Sequence, residues 1–335
     1  MLKVSVNGYG TIGKRVADAI AKHPKMELIG ICKYTPDADA KIAISKKFNV
    51  FAPKENIQNF PNAAGTFDEM LEKSDVVVDA SPDKMGAKNK EIYAAKKKKA
   101  IFQGGEKDAI GFSFNARSNF DGAKAQEYIR VVSCNTTALC RVIKPLTERF
   151  KIDKISAILI RRGADPNDSK GSALNSVEWE ANSHHAHDVN TVIKDVAITS
   201  TAFKAPQTLM HVHHLTIKSG DAITKDALYD IFKNENRVLL LNTAKTTADI
   251  AEKARDLGFV RNDLFSANLL MNTFVANGDE FSFAIAVPQE SIVVPEDIDA
   301  LIAQAGLMSK EDSMRTTDEL MGLKDIKSKM ENVFG

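Results

Sequence analysis

The sequence begins with a short apolar segment that runs straight into a glycine-rich turn. Residues 2–6 have the pattern of a buried strand, Gly8, Gly10 and Gly13 have the spacing G-x-G-x-x-G, and apolar residues recur at helical spacing from Val16 onward. In this context the first glycine permits a tight turn, the second lets a pyrophosphate approach the backbone, and the third lets the helix pack on the sheet. The segment therefore predicts a strand–turn–helix unit that holds a dinucleotide phosphate at the helix N-terminus. The alternative is a glycine-rich turn without a ligand.

Strands and helices continue to alternate through the first part of the chain. Further apolar strands are predicted near 27–33, 75–80, 100–103 and 128–132, with helical segments between most of them. This alternation favours a doubly wound parallel sheet. Because ligands of such sheets bind beyond the carboxyl ends of the strands, we expect Ser81 to lie near the cofactor.

The second predicted strand ends on a cation instead of an acid. A site that prefers NAD usually has a carboxylate here for the ribose 2′-hydroxyl, whereas this chain has Lys33 followed by Tyr34 and Thr35. A cation with hydroxyls suits a 2′-phosphate, so we predict that NADP is used at least as well as NAD. Two alternatives stay open: Asp37 or Asp39 could serve the hydroxyl, or Lys33 could be a solvated lysine.

A cysteine stands where the last strand of this half gives way to a helix. The strand near 128–132 is followed by Ser133, Cys134, Asn135 and Thr136. A thiol at such a junction lies near unpaired backbone N–H groups and the positive end of a helix dipole, which favour the nucleophilic thiolate. Thr136 could bind an anion together with the same N–H groups. We therefore predict Cys134 as a nucleophile; the alternative is an ordinary buried cysteine.

Beyond Cys134 strands dominate over helices, which fits a mixed or antiparallel sheet. The length of 335 residues suits two domains. We expect a dinucleotide-binding Rossmann domain at 1–135 and a catalytic domain at 136–300. C-terminal helices at 301–335, with 317–332 as one helix, are expected to pack back on the first domain. The predicted fold class is α/β: a doubly wound parallel sheet plus an α+β domain with a mixed or antiparallel sheet.

Histidines and arginines in the second half supply candidate partners for the cysteine. His211 and His213 lie on one face of a predicted strand, and either could act as a base. The pair could also bind a metal, but no carboxylate or cysteine motif completes a ligand set, so we predict no metal. Arg161 and Arg162 follow another strand, and paired guanidinium groups suit a phosphorylated substrate. The alternative for this pair is a surface ion pair.

Composition narrows the range of partners. Lys and Arg number 45 against 44 for Asp and Glu, so no global field indicates nucleic acid or an anionic membrane. Three cysteines are too few for a disulfide framework in a chain of this length, and no apolar run approaches the length of a membrane span. We expect a cytoplasmic protein that binds small molecules.

Several segments together resemble the archaeal type of glyceraldehyde-3-phosphate dehydrogenase. They extend to near residue 295, so the resemblance covers essentially the whole chain. The segments are Asn7-Gly8-Tyr9-Gly10-Thr11-Ile12-Gly13, Gln103-Gly104-Gly105-Glu106, Ser133-Cys134-Asn135-Thr136-Thr137, Arg161-Arg162-Gly163-Ala164-Asp165-Pro166, Ser183-His184-His185, Thr208-Leu209-Met210-His211 and Val287-Pro288-Gln289-Glu290-Ser291.

The resemblance implies a homotetramer that uses NADP or NAD, with Cys134 as the nucleophile. It suggests His211 as the base, with His213 a near-equal candidate on geometry. Ala186 and His187 stand where the family pattern has Gly and Pro, a departure in the substrate loop. The residues implied for the cofactor are Thr11, Ile12, Gly104, Arg162 and Gln289, beside the Gly8, Gly10, Gly13, Lys33 and Ser81 derived above. Those implied for the substrate are Ser133, Asn135 and His185, with Ala186 as a backbone contact, beside Thr136 and Arg161.

The resulting hypothesis is a covalent oxidation. The Cys134 thiolate attacks the aldehyde of glyceraldehyde 3-phosphate, oxidation gives a thioester, and inorganic phosphate releases 1,3-bisphosphoglycerate, reversibly, in glycolysis or gluconeogenesis. One rival is a thioester-forming reductase of a substrate that carries a carboxylate, such as an aspartate-semialdehyde or acylglutamyl-phosphate type. Another is a non-catalytic sensor that binds a dinucleotide with the same fold.

Overall fold

The chain forms two packing units, which a computed structural model describes for residues 1–82, 85–103, 105–163 and 176–335. Unit 1 comprises residues 1–133 and 293–321, and unit 2 comprises residues 134–292 and 322–335. No helix among the described residues is both long enough and apolar enough to cross a membrane.

Unit 1 is built on an eight-stranded sheet. Its strands are β1 (Leu2–Asn7), β2 (Met26–Cys32), β3 (Val50–Ala52), β4 (Gly65–Thr66), β5 (Val76–Asp79), β6 (Lys99–Phe102), β7 (Phe112–Phe114) and β8 (Tyr128–Val131). They lie in the order β4-β3-β2-β1-β5-β6-β8-β7, and every pair is parallel. The predicted doubly wound parallel sheet is confirmed. The chain order reverses between β1 and β5, the place where such sheets bind ligands.

Helices connect and cover these strands. They are α1 (Gly13–Lys22), α2 (Ala38–Ser45), α3 (Phe67–Lys73), α4 (Met85–Ala95) and α5 (Ala116–Asn119), while α10 (Val294–Ala305) and α11 (Lys310–Leu320) come from the later segment of the unit. Short 3₁₀ turns lie at Lys54–Asn59, Asp108–Ile110 and Phe120–Ala123. The strands are buried on both faces, as in β5, where Val76, Val77 and Val78 are all buried. This double burial explains the apolar run of β5, whereas β1 alternates and carries Lys3, Ser5 and Asn7 between its apolar residues.

Unit 2 is built on a seven-stranded mixed sheet. Its strands are β9 (Ile152–Arg162), β10 (Glu178–Glu180), β11 (Ile198–Ala205), β12 (His211–Ser219), β13 (Val238–Leu241), β14 (Ala267–Asn277) and β15 (Glu280–Val287), in the order β10-β11-β9-β12-β15-β14-β13. The pairs β9–β11 and β13–β14 are parallel and the other pairs antiparallel. The predicted mixed sheet is confirmed. The helices are α6 (Cys134–Arg149), α7 (His185–Val192), α8 (Lys225–Phe232), α9 (Thr247–Asp256) and α12 (Leu323–Phe334), with a 3₁₀ turn at Val260–Asn262.

The two faces of the unit 2 sheet differ in burial. Along β9 the side chains of Ile155, Ala157 and Leu159 are buried, whereas Ile158 and Ile160 are 44% and 39% exposed. Because alternate residues of a strand point to opposite faces, one face of the sheet carries the core of the unit and the other stays open.

The C-terminal segment differs from the sequence prediction. We predicted one helix at 317–332 and placed all of 301–335 with the first domain; instead α11 ends at Leu320 and α12 begins at Leu323. Gly322 lies between them at φ +66°, a left-handed conformation that ends the first helix. The apolar face of α12 then joins the core of unit 2, where Ile326, Met330 and Phe334 pack in one cluster with Leu239 and Leu241.

Candidate active site

In unit 1 the glycine turn after β1 is shaped for a phosphate. Gly8 has φ +94°, and a Cβ there would lie 2.7 Å from the Ala80 carbonyl oxygen. A Cβ on Gly13 would lie 1.9 Å from the Gly8 carbonyl oxygen, whereas a Cβ on Gly10 would meet no atom within 4 Å among the described residues. The first and third glycines thus close the turn and the second leaves open space beside it. This is the arrangement that a dinucleotide pyrophosphate requires.

The N-terminus of α1 carries no acidic residue in its own first turn. Ile12, at the N-cap, supplies no side-chain hydrogen bond. Thr11 lies just before this start, and its carbonyl oxygen accepts a hydrogen bond from Arg15 Nη1 at 2.5 Å. The Lys14 and Arg15 N–H groups donate to the Gly10 and Ile12 carbonyl oxygens, so it is the positive end of the α1 dipole that remains suited to a phosphate. The residues predicted for the cofactor phosphates fit that group.

A buried hydrogen-bond network joins the strand ends at the point where the sheet order reverses. Asp79 ends β5, and its Oδ2 accepts from Tyr93 Oη at 2.6 Å, Asn89 Nδ2 at 2.8 Å and Asn7 Nδ2 at 3.4 Å. Its Oδ1 accepts from the Ser81 backbone N–H at 3.0 Å and from the Ser81 hydroxyl. Ser81, predicted near the cofactor, is thus held by Asp79. Burial, and then the Asp79 charge, raise the pKa of Tyr93 well above its usual value.

This network was not predicted from the sequence. The signal for Asp79 was present, since the residue is an acid at the carboxyl end of an apolar strand. Asn89 and Tyr93 lie on α4, and only the tertiary structure brings them to that strand end.

Lys33, just after β2, is paired with an acid. Its Nζ lies 2.7 Å from Asp37 Oδ2, while Asp37 Oδ1 caps α2 by accepting from the Ala40 N–H at 3.1 Å. Burial acts to raise the pKa of Asp37, but the hydrogen bonds from Lys33 and Ala40 outweigh it and lower that pKa. Asp39 pairs with Lys14 at 3.1 Å. Lys33, the predicted partner of a 2′-phosphate, and Asp37, the alternative partner of a 2′-hydroxyl, therefore lie together just after β2. Gly104, also predicted for the cofactor, lies outside the described residues, as do residues 164–166.

In unit 2, Cys134 is the first residue of α6 and is partly exposed, whereas Cys32 and Cys140 are buried. Burial raises the pKa of the Cys134 thiol to about 11, against the opposing effects of Arg162, the Asn135 backbone N–H and Arg161. The strand–helix junction is confirmed. Burial thus outweighs the helix terminus and the two cations and favours the neutral thiol over the expected thiolate.

The buried face of the unit 2 sheet carries the histidines. His213 on β12 is paired with Leu159 on β9, and strand alternation places His211 and Arg161 on that same face. Burial lowers the pKa of His213 to about 3 and that of His185 to about 2, and it lowers the pKa of His211 well below its usual value. All three imidazoles are therefore neutral at neutral pH.

His211 and His213 use their ring nitrogens differently. His211 Nδ1 accepts the Arg162 backbone N–H at 2.9 Å, so the proton of the neutral ring lies on Nε2. His213 Nε2 lies 2.8 Å from Asn135 Oδ1. His211 therefore presents Nε2 as a hydrogen-bond donor, which differs from the base expected from the sequence.

Arg161 and Arg162 differ in the hydrogen bonds that their guanidinium groups make. The Arg162 side chain donates to Gln289 Oε1 at 2.5 Å, to the Thr208 carbonyl oxygen at 3.2 Å and to Glu290. Gln289 and Arg162, both predicted for the cofactor, thus contact each other. Within the described ranges, the Arg161 guanidinium makes no hydrogen bond or ion pair, and its Nε is buried.

The remaining predicted substrate residues surround the start of α6 and α7. Asn135 contacts both His213 and His185, and Ala186 donates its N–H to Ser200 Oγ at 3.0 Å. Thr136 is fully buried in the first turn of α6. Ser133, at the end of the unit 1 segment, is partly exposed and adjoins Cys134 in the chain. Nothing in the sequence distinguished Ser200, a strand residue, as part of this site.

Comparison with known proteins covers both units. A family model described as "Glyceraldehyde 3-phosphate dehydrogenase, C-terminal domain" matches residues 133–280, and one described as "Dihydrodipicolinate reductase, N-terminus" matches residues 2–106. A glyceraldehyde-3-phosphate dehydrogenase of Sulfolobus acidocaldarius is 46% identical over 332 residues, which cover 96% of this chain and 97% of that relative. Relatives of the same name from Sulfurisphaera tokodaii and Saccharolobus solfataricus are 44% and 43% identical, over 96% of this chain and 97% and 98% of their own lengths.

Proposed function

The chain belongs to the glyceraldehyde-3-phosphate dehydrogenase family, and from this premise we propose that it is the phosphorylating, NAD(P)-dependent enzyme. The proposed reaction converts D-glyceraldehyde 3-phosphate, inorganic phosphate and NAD(P)+ reversibly to 1,3-bisphosphoglycerate and NAD(P)H. It proceeds through a thioester on Cys134 and belongs to glycolysis and gluconeogenesis in the cytoplasm.

The position of Arg161 is the observation that best supports a phosphorylated substrate. Its positive charge lowers the pKa values of Cys134, His185, His211 and His213, which places it among them. Its Nε is buried and has no hydrogen-bond partner within the described part of the chain. A half-buried cation without a partner favours an anionic ligand, and a phosphate oxygen pair matches the guanidinium fork. This supports a phosphorylated aldehyde over a substrate that carries only a neutral chain.

The residues at the start of α6 supply the covalent chemistry. The Cys134 thiol releases its proton to solvent and the thiolate adds to the aldehyde carbon. The oxygen of the resulting hemithioacetal anion accepts a hydrogen bond from His211 Nε2–H. When bound, NAD(P)+ supplies the hydride acceptor. Loss of hydride leaves the thioester on Cys134, and hydrogen phosphate then attacks its carbonyl carbon and expels the thiolate. Covalent catalysis thereby divides one difficult oxidation into two easier steps.

The Lys33–Asp37 pair supports the use of both nicotinamide cofactors. Lys33 would hold the 2′-phosphate of NADP in place of its partner Asp37. The Asp37 carboxylate, held by Lys33, would accept a hydrogen bond from the ribose 2′-hydroxyl of NAD. The 2.7 Å pair brings both groups to the end of β2.

The open face of the unit 2 sheet supports the proposed homotetramer. Ile158, Ile160 and Trp179 on this face are 44%, 39% and 75% exposed. Contiguous exposed apolar side chains on a sheet are typical of a surface that packs against another subunit.

Activity with and without inorganic phosphate tests the proposed function. We expect the purified protein to reduce NADP and NAD with glyceraldehyde 3-phosphate only when phosphate is present, as measured by nicotinamide absorbance. Cys134→Ser should lose phosphate-dependent activity by roughly 10³-fold or more, because a serine hydroxyl is not ionised at neutral pH. Iodoacetate should label Cys134 far faster than the buried Cys32 or Cys140.

Other outcomes would identify the alternatives. Equal turnover without phosphate would indicate a non-phosphorylating aldehyde dehydrogenase. Activity restricted to aldehydes that carry a carboxylate would indicate a semialdehyde-type reductase. Cofactor binding without turnover or selective labelling would indicate a sensor.

A further inference from the structure

Asn135, the residue after the nucleophile, is clamped between two imidazoles. Its Oδ1 lies 2.8 Å from His213 Nε2, and its Nδ2 lies 3.3 Å from His185 Nε2. All three residues are buried, and the His213 ring is completely inaccessible. Because the amide oxygen only accepts and the amide nitrogen only donates, His213 must carry a proton on Nε2 and His185 must have a lone pair there.

The same assignment of donors and acceptors extends from His185 to Ser183 and Ser200. His185 Nδ1 donates to Ser183 Oγ at 3.1 Å, and Ser183 Oγ lies 2.8 Å from Ser200 Oγ. The Ser200 hydroxyl donates to the Ser183 carbonyl oxygen at 2.9 Å and accepts the Ala186 N–H at 3.0 Å. Each donor therefore has one acceptor, and the chain of hydrogen bonds runs in a single direction from His213 to the Ser183 carbonyl.

A rotated Asn135 amide would fit less well. The amide nitrogen would then face His213 Nε2, and the His213 proton would have to lie on Nδ1. Nδ1 is buried and has no hydrogen-bond partner in the part of the chain that the structure describes. Buried N–H groups without a partner are rarer in proteins than acceptors in that state, so the orientation with a bare Nδ1 is favoured.

We propose that His213 and His185 are positioning residues: by holding the Asn135 side chain, they fix the backbone N–H of Asn135 on the Cys134 sulfur. This inference rests on the proposed function, because it takes Cys134 as the nucleophile. The Asn135 N–H hydrogen bond favours the thiolate. A rigid Asn135 keeps that bond in place, and a mobile one weakens it.

The same geometry assigns different roles to the two histidines of β12. His213 is fully buried and its Nε2 is bonded to Asn135, so no nitrogen of its ring meets the substrate. His211 keeps Nε2 for the substrate oxygen because its Nδ1 is bonded to the Arg162 backbone. His211 is therefore the catalytic residue and His213 acts through Asn135.

Two substitutions at His213 separate these roles. In His213→Gln the amide nitrogen can still donate to Asn135 Oδ1, whereas His213→Leu keeps a similar volume without a donor. His214→Gln is the matched control, because His214 is the next residue of β12, on the opposite face, and is partly exposed. The measurements are the rate of Cys134 alkylation by iodoacetamide as a function of pH, and kcat.

We expect His213→Gln and His214→Gln to keep alkylation profiles close to wild type. In His213→Leu the midpoint of the profile should rise by about one pH unit, so the rate at pH 7 falls about tenfold, because the thiolate fraction below the pKa changes tenfold per unit. A general loss of stability would not move this midpoint. Thermal unfolding of each variant shows whether it has folded.

Two results would overturn the inference. One is a wild-type alkylation profile in folded His213→Leu. The other is a loss of about 10²–10⁴ in kcat for His213→Gln with alkylation unchanged, which is the effect of removing a general base. If His213→Leu does not fold, Ser200→Ala tests the far end of the same chain. It should slow alkylation in the same direction, and an unchanged profile there also contradicts the inference. Absence of alkylation at Cys134 in the wild type would instead remove the proposed function itself.

Discussion

Arg161 and Arg162 show how strongly position decides the chemistry of identical side chains. They are consecutive in β9, and consecutive strand residues point in opposite directions. The Arg162 guanidinium is bonded to Gln289, Thr208 and Glu290, which makes it part of the framework of unit 2. The Arg161 guanidinium lies on the same face as His211 and His213, where its charge is available to a ligand.

We predict that Arg161→Met raises KM for glyceraldehyde 3-phosphate by roughly 30-fold or more, since a hydrogen bond to a charged group contributes about 1.5–3 kcal/mol and the guanidinium can make two. Turnover of unphosphorylated glyceraldehyde should change much less. Lys204→Met is the control for charge, because Lys204 is paired with Arg161 in the sheet register and forms an ion pair with Glu178. Equal losses with both aldehydes would show that Arg161 does not bind the phosphate.

The Lys33–Asp37 pair predicts opposite effects of two substitutions on cofactor choice. Lys33→Met should lower kcat/KM for NADP by about tenfold or more, because the 2′-phosphate loses its cation, and should affect NAD less. Asp37→Asn should lower kcat/KM for NAD and raise the NADP preference, because it removes a negative charge beside the 2′-phosphate. Asparagine can still cap α2, so this substitution changes the charge at position 37 without removing the helix cap. Parallel changes for both cofactors would contradict the assignment.

At the scale of elements, α10 is an unusual helix because its acidic residues are buried. Glu296 accepts the Ala116 N–H at 2.6 Å, and Asp299 accepts from the Ser313 and Thr317 hydroxyls at 2.7 Å each. Neither carboxyl oxygen of Asp297 has a hydrogen-bond partner within the described ranges. Burial, and then the charge of Glu296, raise the pKa of Asp297 well above its usual value.

This raised pKa predicts a pH dependence of stability. Above the unfolded pKa of about 3.9 the unfolded chain loses the Asp297 proton while the folded chain keeps it, so the folded state binds more protons and its stability falls as pH rises. We expect Asp297→Asn to gain about 1.4 kcal/mol of unfolding free energy over wild type per pH unit in this window, up to the folded pKa.

Urea unfolding at several pH values between 4 and 8 measures this difference. Asp121→Asn, which changes an exposed carboxylate of unit 1, is the control and should show no such slope. A difference between Asp297→Asn and wild type that does not vary with pH would mean that Asp297 is ionised in the folded protein.

At the scale of the whole molecule, the open face of the unit 2 sheet predicts the effect of a surface charge on assembly. Ile160→Glu should dissociate the proposed tetramer, because burying an unpaired carboxylate at an interface costs several kcal/mol, while the fold of the subunit stays intact. Ile44→Glu is a matched control, since Ile44 on α2 is also 39% exposed. Sedimentation of both variants at equal concentration gives the answer. A wild-type protein that sediments as a monomer would contradict the tetramer.

Local sequence patterns predicted much of this fold because they report local physics. Alternating apolar strands and helices gave the parallel sheet, and glycine at 8, 10 and 13 specified the turn after β1, because only glycine adopts φ +94° at Gly8 without a clash. Between the strands predicted near 27–33 and 75–80 lies α3, as the alternation predicts, and Thr66 and Glu69 form a capping box at its start. The single helix predicted at 317–332 was wrong, because the left-handed Gly322 interrupts it.

The sequence by itself thus determined that a cysteine stands at a strand–helix junction in a chain that begins with a dinucleotide-binding turn. Only the tertiary structure decided which ring nitrogen of each histidine can bind the substrate and which arginine can bind an anionic ligand. It also decided which residues form hydrogen bonds with Asp79 and Asn135. The reason is distance along the chain: Asn135 meets His185 and His213 at separations of 50 and 78 residues. No local pattern specifies contacts between residues so far apart, whereas the packing of sheets and helices fixes them.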